Sequence, residues 1–129
     1  MSLTIEDKEE ARPVVGDTLR LAVRGLKDIT GRPWNLSLAE TFYLSIKSDL
    51  GMPDVDAEVF VDSDTYPELF DTTYVADGSL TVRVDRSMTS GLTAGVSYYI
   101  DLKVLLKNGM VYTLVYDTIV FDEPVTKAP

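Results

Sequence analysis

Short stretches of strict apolar–polar alternation recur along this chain of 129 residues, and none carries a convincing 3.6-residue helical period. In the longest, Tyr98, Ile100, Leu102, Val104 and Leu106 share one face, while Tyr99, Asp101, Lys103 and Leu105 share the other. A period of two sends successive side chains to opposite sides of a strand, so such a segment buries its apolar side only within a sheet. Leu19, Leu21 and Val23 repeat the pattern within Asp17–Leu26, as do Phe42, Leu44 and Ile46 within Thr41–Lys47. Ala57, Val59 and Val61 make a shorter strand, Leu80, Val82 and Val84 another, and the chain returns through Met110–Tyr116 and Thr118–Phe121.

Turn residues separate these runs. Gly31-Arg32-Pro33, Asp49 to Pro53, Asp85 to Gly91 and Ala94-Gly95 each interrupt the alternation, and Asp85 or Ser87 is placed to cap a short helix that Gly91 stops. Lys107-Asn108-Gly109 predicts a type I′ hairpin, whose two central residues both need positive φ. Seven or eight strands punctuated in this way predict an all-β protein, an antiparallel immunoglobulin-like β-sandwich. A small closed barrel is the competing architecture. Trp34 and Leu36 are expected to plug the core beneath the Gly31–Pro33 corner. Residues 16–123 are expected to form the sandwich, 1–15 a polar N-terminal arm with Glu6, Asp7, Glu9 and Glu10, and 124–129 a C-terminal tail.

Composition narrows the chemistry. The chain has no cysteine and no histidine, which removes thiol and imidazole catalysis, disulfides and most transition-metal sites. A net charge of −9 opposes binding to nucleic acid or to an anionic membrane. The excess acid is local: nine carboxylates and no Lys or Arg lie between Asp49 and Asp77, and outside that stretch acids and bases cancel. Three readings compete for it. It is a solvated, repulsive edge, a docking surface for a basic partner, or a calcium site built on Asp54, Asp56, Glu58, Asp62 and Asp64. Phosphate-loop, dinucleotide, HExxH and GxSxG patterns are absent. The expectation is therefore a protein that is not an enzyme, with no catalytic residues, cofactor or metal. With no secretory signal in the first residues, it is expected to be soluble and made in a cytoplasm.

The aromatic residues point to a surface. Tyr99, Phe60 and Leu105 are expected to face outward as interface side chains, because exposed aromatics favour contacts. Tyr112 and Tyr116, two pleats apart, are expected on the same face. The passage Ser63–Gly78 reads as an extended loop with one helical turn near Pro67-Glu68-Leu69-Phe70, and long loops in compact domains often bind partners.

The order Gly16-Asp17-Thr18-Leu19, Gly31-Arg32-Pro33-Trp34-Asn35-Leu36-Ser37 and Phe42-Tyr43-Leu44-Ser45-Ile46-Lys47 resembles the opening of small Ig-like domains of tailed-bacteriophage virion proteins. Gly78-Ser79-Leu80-Thr81-Val82, then Leu92-Thr93-Ala94-Gly95 and Tyr98-Tyr99-Ile100-Asp101-Leu102, are similar to that family's G-x-L-x-V and L-x-A-G-x-Y-x-x-D-L pattern. Asn108-Gly109 with Val111-Tyr112-Thr113-Leu114, and a last strand Thr118–Phe121, complete it. Similar domains open siphophage baseplate upper proteins, which are much longer. The Asp49–Asp77 insertion also exceeds the family's usual length. The resemblance implies a structural adaptor or decoration module in a virion, on tail, baseplate, neck or capsid. Its partners would be other virion subunits, with repeated copies or a homo-oligomer in the particle. The alternative is a soluble recognition module that binds a host protein or a glycan through the Ser63–Gly78 loop.

Overall fold

The computed structural model describes the backbone of residues 4–5 and the whole of residues 13–124. The rest of the expected arm (residues 1–3 and 6–12) and of the tail (residues 125–129) lie outside the described residues. Among the described residues eight strands follow one another: β1 (Thr4–Ile5), β2 (Leu19–Val23), β3 (Ala39–Lys47), β4 (Val59–Asp62), β5 (Phe70–Asp71), β6 (Leu80–Val84), β7 (Ser97–Leu106) and β8 (Val111–Val120). One helical turn, α1 (Arg86–Thr89), joins β6 to β7. The strands pair in two antiparallel sheets, ordered β1-β2-β6-β5 and β4-β3-β7-β8. The protein is a β-sandwich, with open edges on both sheets in place of a closed barrel.

Alternation explains the layering. Leu19, Leu21 and Val23 of β2 and Leu80, Val82 and Val84 of β6 face Phe42, Leu44 and Ile46 of β3 and Ile100, Leu102 and Val104 of β7, all buried in one apolar cluster. Leu36 is fully buried as expected; Trp34 is half-buried at the rim, its ring edge-on to Tyr112 at 5.6 Å. Around α1 the expected cap is replaced. Asp85 occupies the cap position without a side-chain cap bond, because its carboxylate takes the Arg83 guanidinium at 2.8 Å.

Two local expectations change. The β7–β8 turn is not type I′, since no residue other than glycine has positive φ among the described residues. Gly109 N–H donates to the Leu106 carbonyl (2.9 Å), Leu106 N–H to the Met110 carbonyl (2.9 Å), and Gly109 alone is left-handed at φ 87. That is a type I turn closed by a glycine bulge, and Asn108 helps by accepting the Met110 N–H on its side-chain oxygen. Farther along, the register shifts between Leu102 and Lys103, leaving Leu114 without a partner in β8. One extra residue flips every later side chain. Tyr112 and Tyr116 therefore lie on opposite faces, Tyr112 beside Trp34 and Tyr116 outside.

The Ser63–Gly78 passage carries the chain from one sheet to the other. Pro67–Leu69 forms a 3-10 turn, β5 pairs with β6, and Leu69 and Phe70 are buried. A second 3-10 turn, Val75–Asp77, ends at Gly78, whose carbonyl accepts the Leu26 N–H while Val75 accepts that of Leu36. Gly78 has φ 77, and a Cβ there would run into the Leu26 backbone. Gly78→Ala is expected to cost about 2–4 kcal/mol, from left-handed strain plus collision, in denaturant unfolding.

At the start of β7 the buried Tyr98 hydroxyl accepts the Thr93 N–H at 2.7 Å, and its ring meets Phe121 edge-on at 6.2 Å. This ties the turn before β7 to the strand end. Tyr98→Phe leaves that N–H unpaired and is expected to lower stability by about 1–2 kcal/mol, read by the same unfolding titration.

Candidate functional site

The outer face of β4-β3-β7-β8 gathers the aromatic and polar side chains that the core does not use. Strand pairing sets them in rows. Phe60, Ser45, Asp101 and Tyr116 form one row across all four strands; Tyr43, Lys103 and Thr113 form the next; Lys47, Tyr99 and Thr118 lie on the other side. Tyr43 and Phe60 stack at 6.1 Å, and Tyr99 and Tyr116 stack at 6.5 Å. Between the two aromatic pairs the Ser45 hydroxyl donates to the Asp101 carboxylate at 2.7 Å, and Ser45 is only 4% exposed. Lys47 bridges to Asp54 at 2.6 Å along the rim. A shallow groove of about 350 Å³ runs over Tyr43, Ser45, Phe60, Lys103, Leu105 and Val111. Aromatic walls with a hydrogen-bonded polar floor can hold a partner by ring contact and orient it by polar contact.

Phe60, Tyr99 and Leu105 all stand on this face. Phe60 is the most open at 38%, and Tyr99 and Leu105 are half-buried. Sequence reasoning missed two members. They are Tyr116 (54% exposed), opposite Asp101, and Val111 (58% exposed), which the three-residue turn sets opposite Leu105. Exposed Tyr66 and Tyr74 belong to the sheet-crossing segment and to none of these strand rows.

Several acids between Asp49 and Asp77 serve turns or bond neighbouring segments. Asp49 accepts the Gly51 N–H, Glu58 takes the Ser48 N–H and hydroxyl, Asp62 the N–H groups of Asp64 and Thr65, and Asp64 the Thr41 hydroxyl. Short carboxylates bonding the backbone two or three residues on define turns of this kind. Among the described residues no three carboxylates converge to hold a metal ion.

No family model matches the chain. No curated protein matches it either. Among solved structures it is similar to a polysaccharide deacetylase from Bacillus cereus, at 13% identity and a TM-score of 0.50 over 94% of this chain. The chain spans 30% of that protein's length. At this identity the likeness is one of fold. It corrects the expectation that the protein is not an enzyme, which rested on the missing cysteine, histidine and catalytic motifs. A comparable sandwich is part of an enzyme's chain, because activity resides in sites that a fold carries and not in the fold.

Two aspartates report on the turns. The Thr30 hydroxyl holds the Asp28 carboxyl below its ordinary range, and the Thr73 hydroxyl and N–H do the same for Asp71, helped by Arg20 and Arg24. Each depressed group adds stability above the unfolded aspartate pKa of roughly 3.9 and loses it as pH falls through the lower folded value. The melting temperature is expected to decline below about pH 4. Asp71→Asn is expected to shallow that decline without altering its slope above about pH 6, as read by thermal scans across pH.

Proposed function

We propose that the chain is an immunoglobulin-like assembly module of a tailed-bacteriophage virion, which docks on a neighbouring virion subunit through the outer face of β4-β3-β7-β8. Repeated copies then occupy equivalent positions in the particle. The immunoglobulin-like wiring is supported by the pairing orders, which read A-B-E-D and C′-C-F-G when the strands are lettered in sequence. It is supported further by Tyr98, which sits at the start of strand F and bonds the backbone five residues upstream.

The observation that carries the docking reading is the convergence of Phe60, Tyr99 and Leu105 with exposed Tyr116 and Val111 on one face. Partly exposed aromatics cluster where interfaces form, and truncating one anchor commonly costs 2 kcal/mol or more of binding (order of magnitude, about thirtyfold).

A second reading has one observation in its favour. The structurally similar protein is a polysaccharide deacetylase, and paired aromatic rings beside Ser45 and Asp101 suit a sugar as well as a protein. This recognition reading moves to the sheet face. In the Ser63–Gly78 loop, Leu69 and Phe70 are committed to the core.

The double variant Phe60→Ser with Tyr99→Ser is expected to keep its melting profile and lose at least tenfold in incorporation into purified particles. Ile29→Ser, at a fully exposed position in another turn, is the control. Wild-type incorporation by the double variant removes the docking reading. Retention on a polysaccharide column, lost in the same variant, with no copies found in particles, favours glycan recognition.

A further inference from the structure

The four sheet edges are unequal. β1 and β5 are two residues long, and β4 is four residues long and lies inside the acidic stretch. β8 is ten residues long, holds no proline or glycine, and carries a single charge, Asp117. Short or charged edges resist pairing, whereas a long neutral edge invites it.

The backbone of β8 shows which groups are on offer. Leu106 N–H bonds the Met110 carbonyl, so hydrogen-bonded pairs alternate along β7 at Val104, Leu102, Ile100 and Tyr98. Their partners Tyr112, Val115, Asp117 and Ile119 turn their backbone groups toward β7. Tyr116, Thr118 and Val120 therefore turn theirs to the open edge. Thr118 N–H confirms the direction, since it donates to the Asp117 carboxylate at 2.8 Å. Among the described residues the chain covers this edge only at Asp122, which bonds Pro13 and Val15. Pro13 has no N–H for the Val120 carbonyl, so among the described residues that ladder ends there.

We infer that the β8 edge pairs with the β8 edge of a second copy, antiparallel about a two-fold axis, with Thr118 facing Thr118. This register sets Tyr116 of one copy opposite Val120 of the other, an aromatic–β-branched pair, and keeps Asp117 from facing itself. Charge favours this edge over the opposite one. In the joined eight-stranded sheet, β4 of one copy lies seven strand spacings from β4 of the other, roughly 34 Å. That is several times the screening length of about 8 Å at physiological ionic strength, so the acidic edges do not oppose pairing. Pairing through β4 would instead bring the two acidic stretches together. In a lone chain the Asp117 carboxylate holds the central Thr118 donor and must turn aside, so Asp117 limits the affinity.

The inference deepens the assembly reading above, and the two fail separately. Pairing is read on the purified chain, docking on particles. Sedimentation of the full chain is expected to show a dimer of twice 14.3 kDa at high concentration. Because the chain has no cysteine, Thr118→Cys is expected to close a single disulfide on oxidation, while Phe60→Cys at the other edge does not. Thr118→Lys and, separately, Tyr116→Lys are expected to leave a folded monomer by circular dichroism, and Asp117→Ala to lower the dissociation constant several-fold. A chain that stays monomeric at millimolar concentration overturns the inference. So does a dimer that survives both lysine variants, or one that cross-links through Phe60→Cys.

Discussion

Between the two sheets, Leu21, Val23, Val82 and Val84 meet Leu44, Ile46, Ile100, Leu102 and Val104, and water reaches almost none of them. Sliding any one strand by a residue would exchange these side chains for Arg20, Arg83, Ser45, Asp101 or Lys103 and leave charges inside. The register of the whole sandwich follows from that penalty. So does the outer face, because a residue excluded from the core at each step is placed in a row with its neighbours. The Phe60–Ser45–Asp101–Tyr116 row is the reverse side of the Val61–Leu44–Leu102–Val115 row.

The acidic stretch changes meaning once its partners are known. Six of its carboxylates, those of Asp49, Asp54, Glu58, Asp62, Asp64 and Asp71, are bonded within a few residues of themselves or to an adjoining strand. They shape the passage from β3 through β5 and load one sheet edge with charge. The far edge, β8, is left nearly neutral. The asymmetry of the molecule is thus electrostatic as well as geometric: a repulsive β4 side, an aromatic face, and beside it a backbone edge left open among the described residues.

Much of this was legible in the residues. The alternation of Leu19–Val23, Phe42–Ile46, Leu80–Val84 and Tyr98–Leu106 names each strand and its buried side, since period two admits few other structures. Phe60, Tyr99 and Leu105 were legible as outward for the same reason. The inward side of Tyr112 was not, because the three-residue turn sets it opposite Val104 and the bulge at Leu114, which separates it from the face of Tyr116, leaves no mark in hydropathy. The Asn108-Gly109 pair named a hairpin but not its type. Asn108 accepts the Met110 N–H from a conformation with negative φ, an outcome decided by the three-residue span the strands required.

Local order and burial, then, were written in the spacing of apolar residues, because side-chain direction in a strand depends only on position along it. Which strands neighbour one another, where the bulge falls, and which edge stays open were decided by tertiary structure. Those depend on strand and backbone partners dozens of residues apart, such as Ser45 paired with Asp101 or Gly78 bonded to Leu26, and pairing over such distances is settled by packing as a whole.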